Sequence, residues 1–234
     1  DDESAAGDAV DRPAPSETQV TVAIRGRTYP VDIELKDALE APNGVRVPLT
    51  RSVAQRIQPA RLDPMRDFDN SQYADHMPGL TYFASTRQLI MHESRLEGLA
   101  LLELDLEAQT ESIAAQPFNL HFHRTTAPSC HTPDFFLHTV KGECVLVDVK
   151  ARLDITKDAV QEQFAITQQV CRAVGWGYSV MVQGSETKSS NLYLVTSFRD
   201  TPADFDVVFP EMTDILDRDA MTWEALVAQL SSRT

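Results

Sequence analysis

Two short apolar runs joined by a tight turn constrain the fold of this chain most strongly. The runs cover residues 132–140 and 143–151, and Lys141-Gly142 between them is a typical turn sequence, so they predict a β-hairpin. Side chains alternate between the two faces of a strand, which places Asp148 and Lys150 together on the face opposite the neighbouring valines. The second run therefore predicts a strand that carries a carboxylate and an ammonium group side by side.

The segments around this hairpin predict a mixed α/β domain. A stripe at helical spacing predicts a first helix over residues 86–105. The members of the stripe are Leu89, Glu93, Leu96, Ala100 and Leu104. We expect a further strand at 113–121, a second helix at 156–174 and a last strand at 177–184. The predicted fold is thus an α-β-β-β-α-β core around a mixed central sheet.

Composition divides the 234 residues into four predicted segments. Residues 1–17 contain six acids and no apolar periodicity, which is typical of a disordered acidic tail. Residues 18–80 predict a small β-rich N-terminal module, with a hairpin that turns at Arg25-Gly26-Arg27, followed by an irregular connection. The α/β core then covers residues 81–184, and a C-terminal extension covers residues 185–234.

Charge and composition limit the classes of function. The net charge of −14, from 21 basic and 35 acidic residues, disfavours a protein that holds DNA by counterion release alone. Three cysteines without CxxC spacing argue against a disulfide framework and fit a reducing cytoplasm. No run approaches the roughly 18 apolar residues of a membrane helix, so we expect a cytoplasmic protein without a membrane partner.

Acidic side chains and a lysine gather at one end of the predicted hairpin. If the two runs pair, Asp134 at the start of the first lies across from Asp148 at the end of the second. Two carboxylates and a backbone carbonyl, here that of Val149, suit Mg²⁺. Lys150 is then placed to position or deprotonate an attacking water. Glu93 is expected to face the core and to meet a cation there, or else to pair with Arg95.

The pattern Pro-Asp followed by Asp-x-Lys on two neighbouring strands resembles the core of PD-(D/E)xK nucleases. Three motifs narrow this resemblance to the TnsA-like endonuclease subunits of heteromeric transposases, over roughly residues 76–182. They are ESRLE at 93–97, AQPF at 115–118 and HTPDF at 131–135. The resemblance implies a restriction-endonuclease-like fold and Mg²⁺-dependent cleavage of one strand of double-stranded DNA at a transposon end, with Mn²⁺ as a substitute. It also implies an integrase-type transposase partner that cuts the other strand.

Carried over by position, the resemblance makes Glu93, Asp134 and Asp148 ligands of one shared metal ion, and Lys150 the catalytic lysine. Two other interpretations remain open. The chain is a nuclease of the same fold in a restriction or phage-defence system, or it is a non-catalytic assembly subunit that has kept the fold. The complete set of three acids and a lysine argues against the second of these.

Two further features of the sequence bear on function. The cluster His121, His123, Cys130 and His131 fits no standard zinc spacing, so we expect exposed or hydrogen-bonded histidines. Of these, His131 is close enough to the Pro-Asp strand to approach a scissile phosphate. Residues 200–224 hold eight acids and a single base, which is a candidate docking surface for basic patches of a transposase.

Overall fold

The structure is a computed structural model that divides into two compact units, Asp1–Ser189 and Ser190–Thr234. It describes residues 18–37, 41–66, 78–107, 109–124 and 129–196. The predicted acidic tail and the acidic segment 200–224 lie outside these ranges.

The described residues form four α-helices, of which the third is the longest. They are α1 (Arg51–Arg56), α2 (Arg95–Leu106), α3 (Asp158–Val174) and α4 (Glu186–Thr196), with a 3₁₀ turn at Pro59–Arg61. In the part of the chain that the structure describes, no helix is both long enough and apolar enough to cross a membrane.

The strands of the described residues form three sheets. A five-stranded sheet contains β1 (Thr21–Ile24), β2 (Arg27–Asp37), β3 (Ala41–Pro48), β7 (Asn119–Phe122) and β8 (Cys130–His131). A two-stranded sheet pairs β4 (Gly79–Phe83) with β5 (Gln88–His92). A four-stranded sheet has the order β11-β10-β9-β6, from β6 (Thr110–Ala115), β9 (Phe135–Thr139), β10 (Cys144–Lys150) and β11 (Gly177–Val182). This last sheet is mixed, because β11 runs parallel to β10 while β9 is antiparallel to both its neighbours.

The predicted hairpin is present as β9 and β10. Its register runs from the pair Cys144 and His138 to the pair Val147 and Phe135, and Gly142 supplies the positive φ that the turn requires. The valines of β10 pack into one apolar cluster with α2, whereas Leu146 packs into the cluster on the other side. The alternation that the sequence predicted for this strand is therefore confirmed.

The prediction of a helix over residues 86–105 is wrong in its first half. Gln88–His92 is a strand, and α2 begins only at Arg95. Ser94 is the N-cap, and its Oγ accepts a hydrogen bond from the backbone N–H of Glu97 at 3.2 Å. A capping side chain followed three residues later by an acid fixes the start of a helix locally, and this outweighed the wider apolar spacing.

The strand predicted over residues 113–121 is also wrong as a single element. It divides into β6 and β7, which belong to different sheets. The break lies at Gln116, a buried residue with φ of 46°, and at Pro117, which has no N–H to donate to a sheet. The backbone N–H of Gln116 donates instead to the carbonyl of Asp134 at 2.8 Å, so the break helps to hold the start of β9.

The core has two layers, one on each face of the four-stranded sheet. On one face, α3 lies in an apolar cluster with Val22 and Ile33 of the five-stranded sheet and with Leu146 of β10. On the other face, α2 and the β4–β5 hairpin form a second cluster, which includes Phe83 and Val147. The N-terminal hairpin, β1 and β2, is present as predicted, and its sheet continues into β7 and β8.

Candidate functional site

Asp134 lies directly before β9, next to the end of β10. Its Oδ2 accepts a hydrogen bond from the backbone N–H of Val149 at 2.6 Å and lies 3.8 Å from Nζ of Lys150. The strand register explains this position, because Phe135 pairs with Val147 and the preceding residue therefore faces Asp148. The pairing thus brings the Pro-Asp and Asp-x-Lys segments together, as the hairpin predicted.

The carboxyl group of Asp134 is in an environment that disfavours its charged form. Burial raises its pKa to about 6, against the lowering effect of Lys150, and the neighbouring carboxylates of Asp148 and Glu97 raise it further. A positive charge placed nearby would stabilise the ionised form of this carboxyl group. The site therefore favours a cation.

Asp148 is completely buried on the α3 side of β10. Its Oδ2 accepts hydrogen bonds from the hydroxyl of Tyr178 at 2.5 Å and from Nε2 of His131 at 3.1 Å. Burial alone would raise its pKa, but His131, Tyr178 and the charge of Lys150 hold the pKa below its usual value. Its other oxygen, Oδ1, is buried and has no hydrogen-bond partner among the residues that the structure describes.

Glu93 does not occupy the position that the sequence predicted. It precedes the N-cap of α2, so it is not a member of a helical stripe that faces the core. Its side chain is 36% exposed and forms an ion pair with Nη1 of Arg66 at 2.7 Å. The charge of this carboxylate is therefore balanced at the surface, by Arg66 and not by Arg95.

Glu97, at the start of α2, is a candidate site residue that the sequence analysis did not identify as one. It lies in the first turn, where Oε2 accepts from the backbone N–H of Glu93 and Oε1 accepts from the hydroxyl of Ser94, both at 2.7 Å. Its charge also contributes to the raised pKa of Asp134. The Ser-x-x-Glu spacing of a capping box was the signal that identifies it.

That Glu93, Asp134 and Asp148 share one coordination sphere stays a prediction, and the ion pair of Glu93 with Arg66 counts against it. Within the described ranges, no three His, Cys, Asp or Glu side chains are arranged to hold a metal ion. The chemistry of the residues nevertheless fits Mg²⁺, which prefers carboxylate and carbonyl oxygens. Among the described residues, Oδ1 of Asp148 is buried and has no hydrogen-bond partner, and the pKa of Asp134 is raised by burial and by its carboxylate neighbours.

The histidines upstream of the Pro-Asp strand are hydrogen-bonded, as expected. Nε2 of His121 lies 2.7 Å from Glu34, and Nε2 of His123 lies 2.7 Å from Asp32. Cys130 is exposed and forms no disulfide. These side chains make polar contacts across the five-stranded sheet, which accounts for their clustering without a zinc ion.

Comparison with known proteins finds a family model that matches the segment around β9 and β10. Residues 107–183 match the family model described as TnsA-like endonuclease N terminal. The matched residues include Asp134, Asp148 and Lys150, whereas Glu93 and Glu97 precede them. No curated protein sequence matches the chain. Residues 107–183 are therefore similar to the N-terminal domain of TnsA-like endonucleases, as the sequence motifs indicated.

Proposed function

We propose that this protein is a Mg²⁺-dependent endonuclease that cleaves one DNA strand at transposon ends, together with an integrase-type transposase. The observation that carries the proposal is the grouping of Asp134, Asp148 and Lys150 inside the segment that matches a TnsA-like endonuclease domain. Paired acids beside a lysine are suited to phosphodiester hydrolysis, in which negative charge must be stabilised and protons moved.

The arrangement of elements supports a restriction-endonuclease-like core. The helices α2 and α3 pack on opposite faces of the mixed four-stranded sheet, and β6, β9, β10 and β11 supply that sheet. We propose that these six elements form the α-β-β-β-α-β core expected from the sequence. The remaining strands then extend the core without contributing its acidic residues.

Asp134, Asp148 and the carbonyl of Val149 would hold the metal ion in this proposal, and Mn²⁺ would substitute for Mg²⁺. When bound, the ion would offset the charge of the scissile phosphate and lower the pKa of an attacking water. Lys150 is placed to donate a hydrogen bond to a phosphate oxygen, since its ammonium group lies beside Asp134 at the end of β10.

A third carboxylate comes from the start of α2, and two glutamates compete for this role. Carried over from the family, Glu93 is the proposed ligand, but its charge is already matched by Arg66. Glu97 is among the charges that raise the pKa of Asp134, which supports a position for its carboxylate near the site. We therefore favour Glu97 over Glu93 as the third acid of the site.

Paired substitutions distinguish the two glutamates. Glu97→Gln is expected to lower the rate of Mg²⁺-dependent cleavage at least tenfold, because glutamine can keep the helix cap but removes the charge. Glu93→Gln is expected to change the rate less than threefold, since it removes only a surface ion pair. Both rates are measured on an end-labelled duplex, with melting temperatures as the control for folding. A larger loss of rate in Glu93→Gln than in Glu97→Gln would make Glu93 the third acid of the site.

The negative charge of the chain predicts that its binding to DNA depends on a partner. With a net charge of −14, the isolated protein is expected to bind duplex DNA weakly at physiological salt, because phosphate contacts supply most non-specific affinity. A transposase would raise the local concentration of DNA at the site, and the acidic segment 200–224 is a proposed contact for its basic patches. Fluorescence anisotropy over a salt series measures this binding. Tight, sequence-specific binding without a partner would contradict it.

Cleavage assays with and without a transposase distinguish a role in transposition from the two alternative functions. Cleavage that is stimulated by a transposase and confined to transposon ends supports the proposal. Cleavage of other duplexes without any partner would instead indicate a restriction or defence nuclease. A protein that binds the transposase but leaves every duplex intact, in Mg²⁺ and in Mn²⁺, would be a non-catalytic assembly subunit.

A further inference from the structure

A buried polar network surrounds Asp148 on the α3 side of the four-stranded sheet. The side chain of His131 is 4% exposed and that of Asp148 is 0% exposed. Both are polar groups buried on the side of the sheet that carries a large apolar cluster. Tyr178 on β11 and Gln163 on α3 complete the network. Two elements that are separate in sequence, β8 and β11, therefore converge on one carboxylate of β10, and α3 is connected to it through His131.

The hydrogen bonds in this network are arranged asymmetrically. Tyr178 and His131 both donate to Oδ2 of Asp148, at 2.5 Å and 3.1 Å, while Oδ1 has no partner among the described residues. The amide nitrogen of Gln163 lies 2.5 Å from Nδ1 of His131. With that nitrogen donating, Nδ1 is the acceptor of the ring and Nε2 carries the proton that is given to Asp148.

A purely structural role explains this arrangement poorly. A buried carboxylate is costly, and apolar side chains of similar size would fill the same space at a lower cost in folding free energy. Buried polar atoms are nearly always hydrogen-bonded, so a network that satisfies one oxygen twice and leaves the other without a partner calls for a ligand. Because both hydrogen bonds go to Oδ2, Oδ1 is the oxygen that such a ligand would contact.

We propose that His131 and Tyr178 are positioning residues that hold the carboxylate of Asp148 in one orientation and present Oδ1 to the metal ion. This inference rests on the metal site of the proposed function. Neither residue touches the ion or the DNA. Their effect is to prevent rotation of the carboxylate, so that the ion meets a ligand whose orientation is already fixed, and Gln163 in turn fixes the ring of His131.

Calorimetric titration of the full chain with Mn²⁺ tests the proposal without relying on DNA cleavage. Tyr178→Phe keeps the aromatic ring, which packs edge-on against Phe164, and removes only the hydroxyl group. We expect it to weaken Mn²⁺ binding about tenfold, in line with other residues that orient metal ligands. Tyr82→Phe, which removes a hydroxyl group from the exposed face of β4, is the matched control and should bind Mn²⁺ like the unaltered protein.

A pair of substitutions at His131 separates positioning from packing. His131→Leu fills the space but removes the donor, so Mn²⁺ binding should weaken about tenfold, whereas His131→Gln retains a donor and should recover most of the affinity. Melting temperatures without metal show whether each variant is folded. Equal Mn²⁺ affinity in Tyr178→Phe, His131→Leu and the unaltered protein would overturn the proposal, as would an unaltered protein that binds no Mn²⁺. Binding with the expected losses but no DNA cleavage would support the proposal and contradict the nuclease function.

Discussion

Asp134→Asn is expected to reduce metal-dependent cleavage of duplex DNA at least about 100-fold while leaving the protein folded. Asparagine keeps an oxygen that can accept from the N–H of Val149, but it removes the charge on which metal binding depends. Because the raised pKa of Asp134 means that the folded state disfavours its ionised form, the neutral amide should stabilise the metal-free protein at pH 7. Cleavage rates and thermal melts in the presence of a chelator measure the two effects.

Lys150→Ala is the companion variant, because it removes the only cation that contacts Asp134 among the described ion pairs. It should also abolish cleavage, but its melting temperature without metal should fall, since the positive charge that lowers the pKa of Asp134 is lost. Opposite shifts in stability with the same loss of activity would be difficult to explain by general unfolding. Unchanged cleavage by either variant would contradict the assigned roles.

Asp105→Ala is expected to lower the free energy of unfolding by about 2–4 kcal/mol. Asp105 is buried in the last turn of α2, where an acid is unfavourable for the helix dipole. Its two carboxylate oxygens accept hydrogen bonds from the backbone N–H groups of Ala84 and Ser85, both at 2.9 Å. Removal of the side chain removes the carboxylate that accepts from these two N–H groups of the β4–β5 turn. Chemical denaturation measures the loss.

Two control substitutions separate this effect from general sensitivity of α2. Asp105→Asn retains one acceptor oxygen and should lose about half as much stability. Glu103 lies on the same helix as Asp105 and forms an exposed ion pair with Lys188 of α4. Its replacement by alanine should cost less than about 1 kcal/mol. Equal losses for Asp105→Ala and Glu103→Ala would show that the contact with the turn does not stabilise the fold.

The elements that local patterns determine were predictable from the sequence. Lys141-Gly142 and the alternating valines gave the hairpin and the face of Asp148, because turn chemistry and strand periodicity act over a few residues. Gly175, in the left-handed conformation, ends α3 where the sequence predicted a stop. These local features place Asp134, Asp148 and Lys150 correctly relative to one another.

Features that depend on distant partners were not predictable in this way. The spacing from Leu89 to Leu104 fits a helix, but residues 88–92 gain more by pairing as β5 with β4. The short strands β7 and β8 join the N-terminal sheet, a pairing across many residues that no local pattern specifies. Glu93 was therefore placed on the wrong element. Tyr178 reaches Asp148, and Gln163 reaches His131, only after the sheet and α3 have assembled.

Strand-resolved cleavage of a duplex that carries a transposon end tests the central proposal most directly. Each strand is labelled in turn, and the full chain is assayed with its transposase partner in Mg²⁺, in Mn²⁺ and in a chelator. We predict one cut on a single strand at the transposon end, in either metal, which is absent in the chelator and absent with Asp134→Asn. A cut that persists in the chelator or with Asp134→Asn, or no cut on either strand under any of these conditions, would contradict the proposal.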